Sequence, residues 1–380
     1  MAGWNLEAAV NQRYGNAAEQ REQELCCPVS YDSRFLEVIP KEVIDRDYGC
    51  GDPSAYLADG ETVLDLGSGG GKICFIAAQI VGPKGRVIGV DMNPAMLRLA
   101  RRSAPVIARR IGFANVEFRE GKIQDLAFDP EKTADYCQQH PVTDSGSALE
   151  LEAFIARQRA EQPLIEDASV DVVVSNCVLN LVRSEEKTEL FREIYRVTKD
   201  GGRAVISDIV SDEDVPAAMQ EDPELWSGCI SGALREDEFL EAFAKAGFYG
   251  IRVRKRDHEP WRTVDGIEFR ALTVEAFKGK EGPCLERKQA VVYKGPFSEV
   301  VDDDGHRIQR GVRYAVCDKT FRIFSRAPYA EHFDAVEPLE EVPLQEARAF
   351  DCSRDALRHP RETKGKDYNA TTEADGCCCS

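Results

Sequence analysis

Apolar residues between positions 61 and 280 follow two alternating patterns. Short continuous runs of Val, Ile and Leu are typical of strands that are buried on both faces of a sheet. The longer segments between these runs have apolar residues at helical spacing, which indicates amphipathic helices. This alternation predicts an α/β fold with a doubly wound parallel sheet. Strands are predicted at 62–66, 86–90, 115–118 and from 170 onward, and helices at 72–81, 94–111 and 185–198.

Further elements are predicted after the fourth strand, and one segment interrupts the pattern. Residues 128–166 are polar and acidic, with a short helical pattern at 148–159. Because surface loops tolerate added residues, we interpret this segment as an insertion on the surface. The later elements are a fifth strand after Gly201-Gly202, a helix at 236–246 and strands near 249–255 and 268–277.

The pattern divides the chain into four parts. Residues 1–60 form an N-terminal extension outside the nucleotide fold, with short helices predicted at 6–14 and 17–25. The sheet domain occupies 61–280, and a small β-rich domain follows at 281–365. Residues 366–380 are predicted to be a flexible, cysteine-rich tail. Strands of the small domain are predicted at 289–293, 311–317 and 320–324.

The net charge and the composition argue against some classes of binding partner. The net charge of −18 argues against a general nucleic-acid binder, which needs a clustered excess of Lys and Arg, so a small substrate is expected. The sequence has neither a bilayer-length apolar run nor a basic-then-apolar leader pattern, so we expect a cytoplasmic protein with no membrane partner. No large exposed apolar face is evident, so a monomer is the default expectation.

A glycine-rich turn joins the first strand to the next helix. Gly67, Ser68, Gly69 and Gly71 follow Asp65, which lies near the end of that strand. Glycine lets the backbone approach a ligand closely, and the N–H groups that begin the next helix face that ligand. Asp91 ends the second strand, where a carboxylate can accept hydrogen bonds from both ribose hydroxyls.

This arrangement resembles the class I S-adenosylmethionine-dependent methyltransferases, which have a Rossmann-like sheet. The resemblance implies S-adenosylmethionine as cofactor. Ile123 and Gln124 occupy the place after the third strand where such enzymes flank the adenine, and Asn176 ends the fourth strand beside the reactive end of the cofactor. The cofactor-binding residues implied are Asp65, Gly67, Ser68, Gly69, Asp91, Met92, Ile123, Gln124 and Asn176.

Three cysteine-containing segments, residues 69–74, 175–182 and 226–234, together resemble the arsenite S-adenosylmethionine methyltransferases. The resemblance covers nearly the whole chain. It implies four catalytic cysteines, namely Cys74, Cys177, Cys229 and an N-terminal one that is either Cys26 or Cys27. We assign Cys26. Cys50, in a turn, is interpreted as structural, and Cys284, Cys317 and Cys352 as packing residues.

The chemistry of arsenic fits this cysteine set. Trivalent arsenic is soft and thiophilic, so thiolates select it over hard cations, and three sulfurs suit its pyramidal geometry. The expected arsenic ligands are Cys177, Cys229 and Cys74. The lone pair of arsenic would attack the sulfonium methyl and displace the donor's sulfur as a thioether. No general base is needed, so positioning is the main contribution of the protein.

The resemblance also implies a redox step. Methylation formally oxidises arsenic, and a disulfide between Cys74 and either an N-terminal cysteine or a binding cysteine would return it to the trivalent state. A thioredoxin or glutathione system would then reopen the disulfide by thiol exchange. The substrates implied are arsenite or methylated arsenicals.

The sequence departs from the family at two places, and two alternative functions stay open. The family often has Arg-Asp before the turn cysteine, where this chain has Lys72-Ile73, and the 128–166 insertion is unusual. One alternative is an S-adenosylmethionine-dependent methyltransferase that acts on another small molecule, through carbon, nitrogen, oxygen or another soft acceptor. The other is a non-enzymatic metalloid-binding protein that uses Cys377, Cys378 and Cys379.

Overall fold

The computed structural model describes residues 3–20, 22, 29–352 and 357–364. The chain divides into two compact units, residues 1–279 and 280–380. The N-terminal extension belongs to the first unit, in which its helix α1 packs against α5 and α10. The helices of this unit are α1 (Gly3–Ala17), α2 (Ser33–Leu36), α3 (Lys41–Asp45), α4 (Lys72–Val81), α5 (Pro94–Ile111), α6 (Pro130–Gln139), α7 (Ser145–Glu161), α8 (Lys187–Val197), α9 (Ala217–Gln220), α10 (Pro223–Ser227) and α11 (Glu236–Ala246).

One sheet organises the first unit. Its strand order is β3-β2-β1-β4-β5-β8-β6, with β7 paired to β8. The five strands from β3 to β5 are parallel, and β8 runs antiparallel to β5, β6 and β7. The predicted doubly wound sheet is therefore confirmed. The strands are β1 (Thr62–Leu66), β2 (Arg86–Asp91), β3 (Val116–Glu120), β4 (Val170–Asn176), β5 (Thr198–Ser211), β6 (Tyr249–Arg256), β7 (Arg262–Val264) and β8 (Ile267–Phe277).

Two apolar layers cover the faces of this sheet. Leu64, Val173 and Ile206 belong to one layer, with α8 and α11, while Val63 and Val174 belong to the other, with α4 and α5. Alternate residues of one strand point to opposite faces, so strands buried on both sides read as continuous apolar runs. This burial is why the strand positions were recognisable in the sequence.

The helices of the insertion and of the N-terminal segment differ from those predicted. Residues 128–166 hold two helices, α6 and α7, where one was predicted, and most of their side chains are at least partly exposed. The first predicted N-terminal helix lies within the longer α1. Residues 18–20 of the second predicted helix form a turn, and most of its remainder lies outside the described residues.

The second unit is built from short strands and two short helices. β10 lies between β13 and β14 in an antiparallel sheet. The strand predicted at 320–324 is wrong, because this segment belongs to helix α12. Phe321 and Phe324, three positions apart, are both buried on that helix, while Cys317 caps its first turn. The elements are β9 (Leu285–Glu286), β10 (Ala290–Tyr293), β11 (Glu299–Val301), β12 (Arg307–Gln309), β13 (Arg313–Ala315), α12 (Asp318–Phe324), β14 (Phe333–Val336), β15 (Arg348–Ala349) and α13 (Pro360–Thr363).

Candidate functional site

A cavity lies at the carboxyl ends of the parallel strands, where open α/β sheets bind ligands. All nine residues implied as cofactor ligands line it. Residues before the sheet, which sequence analysis placed outside the nucleotide fold, also line it. The N-terminal residues that sequence reasoning missed are Leu6, Glu7, Val10, Asn11 and Tyr14 from α1, and Arg46, Asp47, Tyr48 and Gly49 from the loop before β1.

The glycine turn has the backbone geometry that its sequence predicts. Gly67 has a φ of 70°, and a Cβ there would lie 2.4 Å from a methyl group of Val178. Gly69, with a φ of 52°, donates its N–H to Asp91 Oδ2 over 2.8 Å. Asp91 Oδ1 also accepts the N–H of Asn93, and burial raises the pKa of Asp91. The Asp91 carboxylate therefore fastens the turn to the second strand at the wall of the cavity.

Asp65 and Cys74 form a buried pair. Cys74 is fully buried in α4, and its thiol donates to Asp65 Oδ2 over 3.1 Å. Burial raises the pKa of Asp65 to about 7. Burial, together with the neighbouring Asp65, also raises the pKa of Cys74 well above its ordinary value. Asp65 lines the cavity, whereas Cys74 is not among the lining residues and packs in the apolar layer behind the turn.

Asn176 reaches a loop that lies far away in sequence. Its Oδ1 accepts the N–H groups of Cys50 and Gly51 over 2.9 and 3.0 Å. Its Nδ2 donates to the carbonyl of Gly51 over 2.7 Å and to the hydroxyl of Tyr31 over 3.2 Å. A Cβ on Gly49 would lie 2.0 Å from this Nδ2, so the loop passes against the amide only because residue 49 is glycine. The structure thus adds a role for Asn176 as the residue that holds this loop.

The loop brings a third thiol beside the predicted ones. The sulfurs of Cys50 and Cys177 and a carboxylate oxygen of Asp208 all lie within 4.8 Å of one another. The thiol of Cys229 donates to the carbonyl of Cys177 over 3.2 Å and lies 3.6 Å from the hydroxyl of Tyr14. Cys50, which the sequence predicted to be structural, thus lies beside Cys177, one of the cysteines implied as catalytic. Cys50, Cys177 and Cys229, called the thiol group below, pack in one buried cluster without Cys74.

Two members of the thiol group have unusual backbone conformations. Cys177 and Cys229 have φ values of 64° and 60°, in the left-handed region that is uncommon for residues other than glycine. Such residues cost of order 1–3 kcal/mol and concentrate at functional sites. Both cysteines are also buried, with 5% and 3% of their surface exposed.

A buried charged pair lies beside the thiol group. Asp208, near the end of the core of β5, accepts the N–H groups of Leu179 and Ile209, each over 2.8 Å. Burial raises the pKa of Asp208 to about 6. Burial also lowers the pKa of Lys187, whose charge interacts with that of Asp208, to about 8. Sequence reasoning missed Asp208, although its position after a parallel strand was a usable signal.

Cys26 and Cys27, one of which was implied as catalytic, lie outside the described residues. None of the helices in the described part of the chain combines the length and apolar character that crossing a bilayer requires.

Comparisons with known proteins agree with this site. A methyltransferase domain model matches residues 57–151 and 148–247, and a domain of unknown function matches 280–368. An arsenite methyltransferase of Aquipseudomonas alcaligenes is 33% identical over 352 residues, which cover 87% of this chain and 91% of the relative. The arsenite methyltransferase of Mus musculus is 28% identical, over 92% of this chain and 88% of the relative.

A solved structure is similar over most of the chain. The crystal structure of an arsenic(III) S-adenosylmethionine methyltransferase from Chlamydomonas reinhardtii matches with a TM-score of 0.55 and 29% identity. The match covers 86% of this chain and all of the solved one. The sheet, the glycine turn, the thiol group and these similarities lead to one conclusion: the chain belongs to the arsenite methyltransferase family.

Proposed function

We propose that this protein transfers methyl groups from S-adenosylmethionine to trivalent arsenic bound by Cys177, Cys229 and Cys50. The observation that supports the proposal most strongly is the set of contacts around Cys177, which lines the cavity with the glycine turn. The Cys50 sulfur lies within 4.8 Å of the Cys177 sulfur, and the Cys229 thiol donates to the Cys177 carbonyl over 3.2 Å. Soft thiolates select soft, thiophilic centres. A methyltransferase for oxygen, nitrogen or carbon acceptors has no need of such a group.

The cavity fits the methyl donor by the chemistry of its lining. Asp91 suits the ribose hydroxyls, and Asp65 offers a carboxylate to the donor's ammonium group. Met92 and Ile123 give apolar surface for the adenine. The buried hydroxyl of Ser68 has no partner among the described residues, which suits a group with a ligand to bind. When bound, S-adenosylmethionine supplies an electrophilic methyl group on its sulfonium.

Cys50 replaces Cys74 as the third arsenic ligand in this proposal. The Cys50 sulfur lies within 4.8 Å of the Cys177 sulfur, whereas Cys74 is buried in another apolar layer and hydrogen-bonded to Asp65. The raised pKa of Cys74 also makes it a poor source of thiolate. Cys74 is then a packing residue that keeps Asp65 in place.

Arsenic binding and methyl transfer can both be written as balanced steps that need no general base. Arsenous acid and three thiols give a tris-thiolate and three molecules of water. The arsenic lone pair then forms the new As–C bond while the sulfonium releases its methyl group. The main contribution of the protein is position, which can lower a barrier by about 7 to 11 kcal/mol. The Asp208 carboxylate, within 4.8 Å of two ligand sulfurs, stabilises the positive charge that arsenic acquires.

The re-reduction step also involves Cys50. Cys50 and Cys177 can leave arsenic as a disulfide, so that two As–S bonds break, one S–S bond forms and two electrons return to arsenic. The trivalent methylarsenic cation left on Cys229 then takes up a thiol of the reductant and releases a proton. The sulfurs of Cys50 and Cys177 lie within 4.8 Å of one another and would approach to about 2.05 Å to form the S–S bond. The N-terminal cysteine, Cys26 or Cys27, is the candidate that exchanges with this disulfide, and a thioredoxin or glutathione system restores the thiols.

The experiment measures methylated arsenic formed from arsenite, S-adenosylmethionine and a thiol reductant. The intact protein is compared with Cys177→Ser, Cys229→Ser, Cys50→Ser and Cys74→Ser. We expect product from the intact protein and Cys74→Ser, and loss of product in the other three. Cys137→Ser, in the insertion helix α6, is the matched control and should retain full activity.

Two results would contradict the proposal. Equal activity of Cys177→Ser and the intact protein would exclude thiolate binding at this position. Loss of activity in Cys74→Ser with full activity in Cys50→Ser would restore Cys74 as the third ligand. Calorimetric titration with S-adenosylmethionine should show unchanged affinity in each variant, which separates loss of arsenic binding from loss of cofactor binding.

A further inference from the structure

Three more cysteines of the second unit lie together. Cys284, Cys317 and Cys352 have sulfur atoms that are all within 4.8 Å of one another. They were predicted to be packing residues, and the structure adds that their sulfurs lie next to one another. The matched domain that contains them has no known function. We call them the C-terminal trio.

One cysteine of the trio is buried and held in place, and the other two are partly exposed. Cys317 is fully buried and caps helix α12, accepting the N–H of Thr320 over 3.4 Å. Cys284 and Cys352 are only partly buried, so a solute can reach them. The three come from separate segments, which are the residue before β9, the start of α12 and the loop after β15. The fold therefore assembles the trio independently of any local sequence motif.

We propose that Cys284, Cys317 and Cys352 form a second binding site for trivalent arsenic, made of residues of the second unit alone. Arsenous acid and three thiols would exchange three As–O and three S–H bonds for three As–S bonds and three molecules of water. No electron is transferred. The choice of arsenic rests on the proposed function, but binding itself needs neither the cofactor nor methyl transfer.

The number of ligands favours arsenic over zinc. Structural zinc sites are almost always four-coordinate and tetrahedral. Among the described residues, no histidine nitrogen or carboxylate oxygen lies within 4.8 Å of all three sulfurs. His306 lines the same small cavity, but its Nδ1 is 2.8 Å from Asp302 Oδ2 and it does not join the trio. Three sulfurs alone complete the pyramidal coordination of trivalent arsenic.

Distance and charge also agree with a three-sulfur site. Metal–thiolate bonds of about 2.3 Å, as in zinc sites, keep sulfurs that share an ion less than about 4.6 Å apart, so little contraction is needed. A trivalent ion with three thiolates has no net charge, which suits a site in which Cys317 is fully buried. The Thr320 N–H donates to the Cys317 sulfur, and the Thr320 hydroxyl lies 3.2 Å from it, so this thiol is held in place before binding.

The test measures arsenic bound per full-length chain after excess arsenite is removed by gel filtration. The background chain carries serine at positions 26, 27, 50, 177, 229 and 377–379, so that the other clustered thiols are absent. We expect one arsenic per chain, with three sulfur neighbours by X-ray absorption spectroscopy. Cys317→Ser should abolish this binding, while Cys137→Ser should leave it unchanged. Methylarsonous acid, which can exchange only two ligands, should bind less tightly than arsenite.

The outcomes separate the two sites. Equal arsenic content in Cys317→Ser and Cys137→Ser would overturn the inference. So would one zinc per purified chain that is lost in Cys317→Ser. Serine is a good helix N-cap, so Cys317→Ser should keep α12 folded, and the partly exposed Cys352→Ser serves as a second variant if it does not. Loss of methylation in Cys177→Ser bears only on the first site.

Discussion

Asn176 offers the sharpest test of how the thiol group is positioned. In Asn176→Ala, the N–H groups of Cys50 and Gly51 and the carbonyl of Gly51 lose their partner. A buried group left without a partner costs about 1–3 kcal/mol. Water entering the space of the amide would satisfy part of this set, so we expect the free energy of unfolding to fall by about 2–4 kcal/mol.

The same change should displace Cys50 and slow methylation. A misplacement of about 1 Å can cost about a hundredfold in rate. We therefore expect Asn176→Ala to lose about that factor in initial rate at saturating S-adenosylmethionine. Asn176→Asp keeps the shape and the Oδ1 acceptor but opposes the Gly51 carbonyl, so its loss should be smaller. Urea denaturation and product formation measure the two effects.

A double-mutant comparison identifies the route of this effect. If Asn176 acts through Cys50, Asn176→Ala should add little to the rate loss already caused by Cys50→Ser. Additive losses, together with an equal fall in affinity for S-adenosylmethionine, would refute the reasoning. They would assign Asn176 to direct cofactor binding, as the sequence predicted.

Four further predictions follow from the cavity and the thiol group. Because Asp65 has a pKa of about 7 and must ionise to bind a cationic donor, the dissociation constant for S-adenosylmethionine should rise about tenfold from pH 8 to 6, and Asp65→Asn should abolish this dependence in calorimetric titrations. Since Cys229 is left-handed, Cys229→Gly should be at least as stable to urea as Cys229→Ala, although both are inactive; a clear advantage for alanine would contradict the strain. Gly49→Ala should lose activity and stability, because its Cβ would clash with Asn176; unchanged denaturation and rate would refute this packing. Asp208→Asn should lower the methylation rate about ten- to a hundredfold with unchanged cofactor affinity, and an unchanged rate would remove its electrostatic role.

The sheet and half of the site were predictable because their signals are local. The strands of the parallel sheet are buried on both faces and so appear as apolar runs, and the glycine turn follows β1 directly. The rule that ligands bind at the carboxyl ends of parallel strands then brings Asp65, Asp91 and Cys177 to one cavity. The position of Cys229 came only from family resemblance.

The remaining site residues depend on contacts between distant segments. Cys50 joins the thiol group through hydrogen bonds from its loop to Asn176, 126 positions away. The contribution of α1 to the cavity is likewise a tertiary contact without a sequence motif. The same limit explains the error at 320–324, where a short alternating segment is a helix because Cys317 caps it and two of its aromatic residues are buried. Cys74 was assigned from the family resemblance, which implies a catalytic cysteine after the glycine turn, yet its side chain packs behind that turn.

Charge balance explains why so deeply buried a thiol group would suit the proposed reaction. Cys50, Cys177 and Cys229 are at most 5% exposed, and separate thiolates there would be costly. One trivalent arsenic neutralises three thiolates, so substrate binding adds no charge to the apolar cluster. Methyl transfer then creates one positive charge on arsenic, next to the carboxylate of Asp208 and away from bulk water, where a fixed charge acts most strongly. In the proposed re-reduction, departure of two thiolates as a disulfide leaves a trivalent methylarsenic cation, which becomes neutral when it takes up a hydroxide or a thiolate. The site is thus apolar enough to accept the neutral complex, and the Asp208 carboxylate lies close enough to stabilise arsenic in the positively charged stages of the proposed cycle.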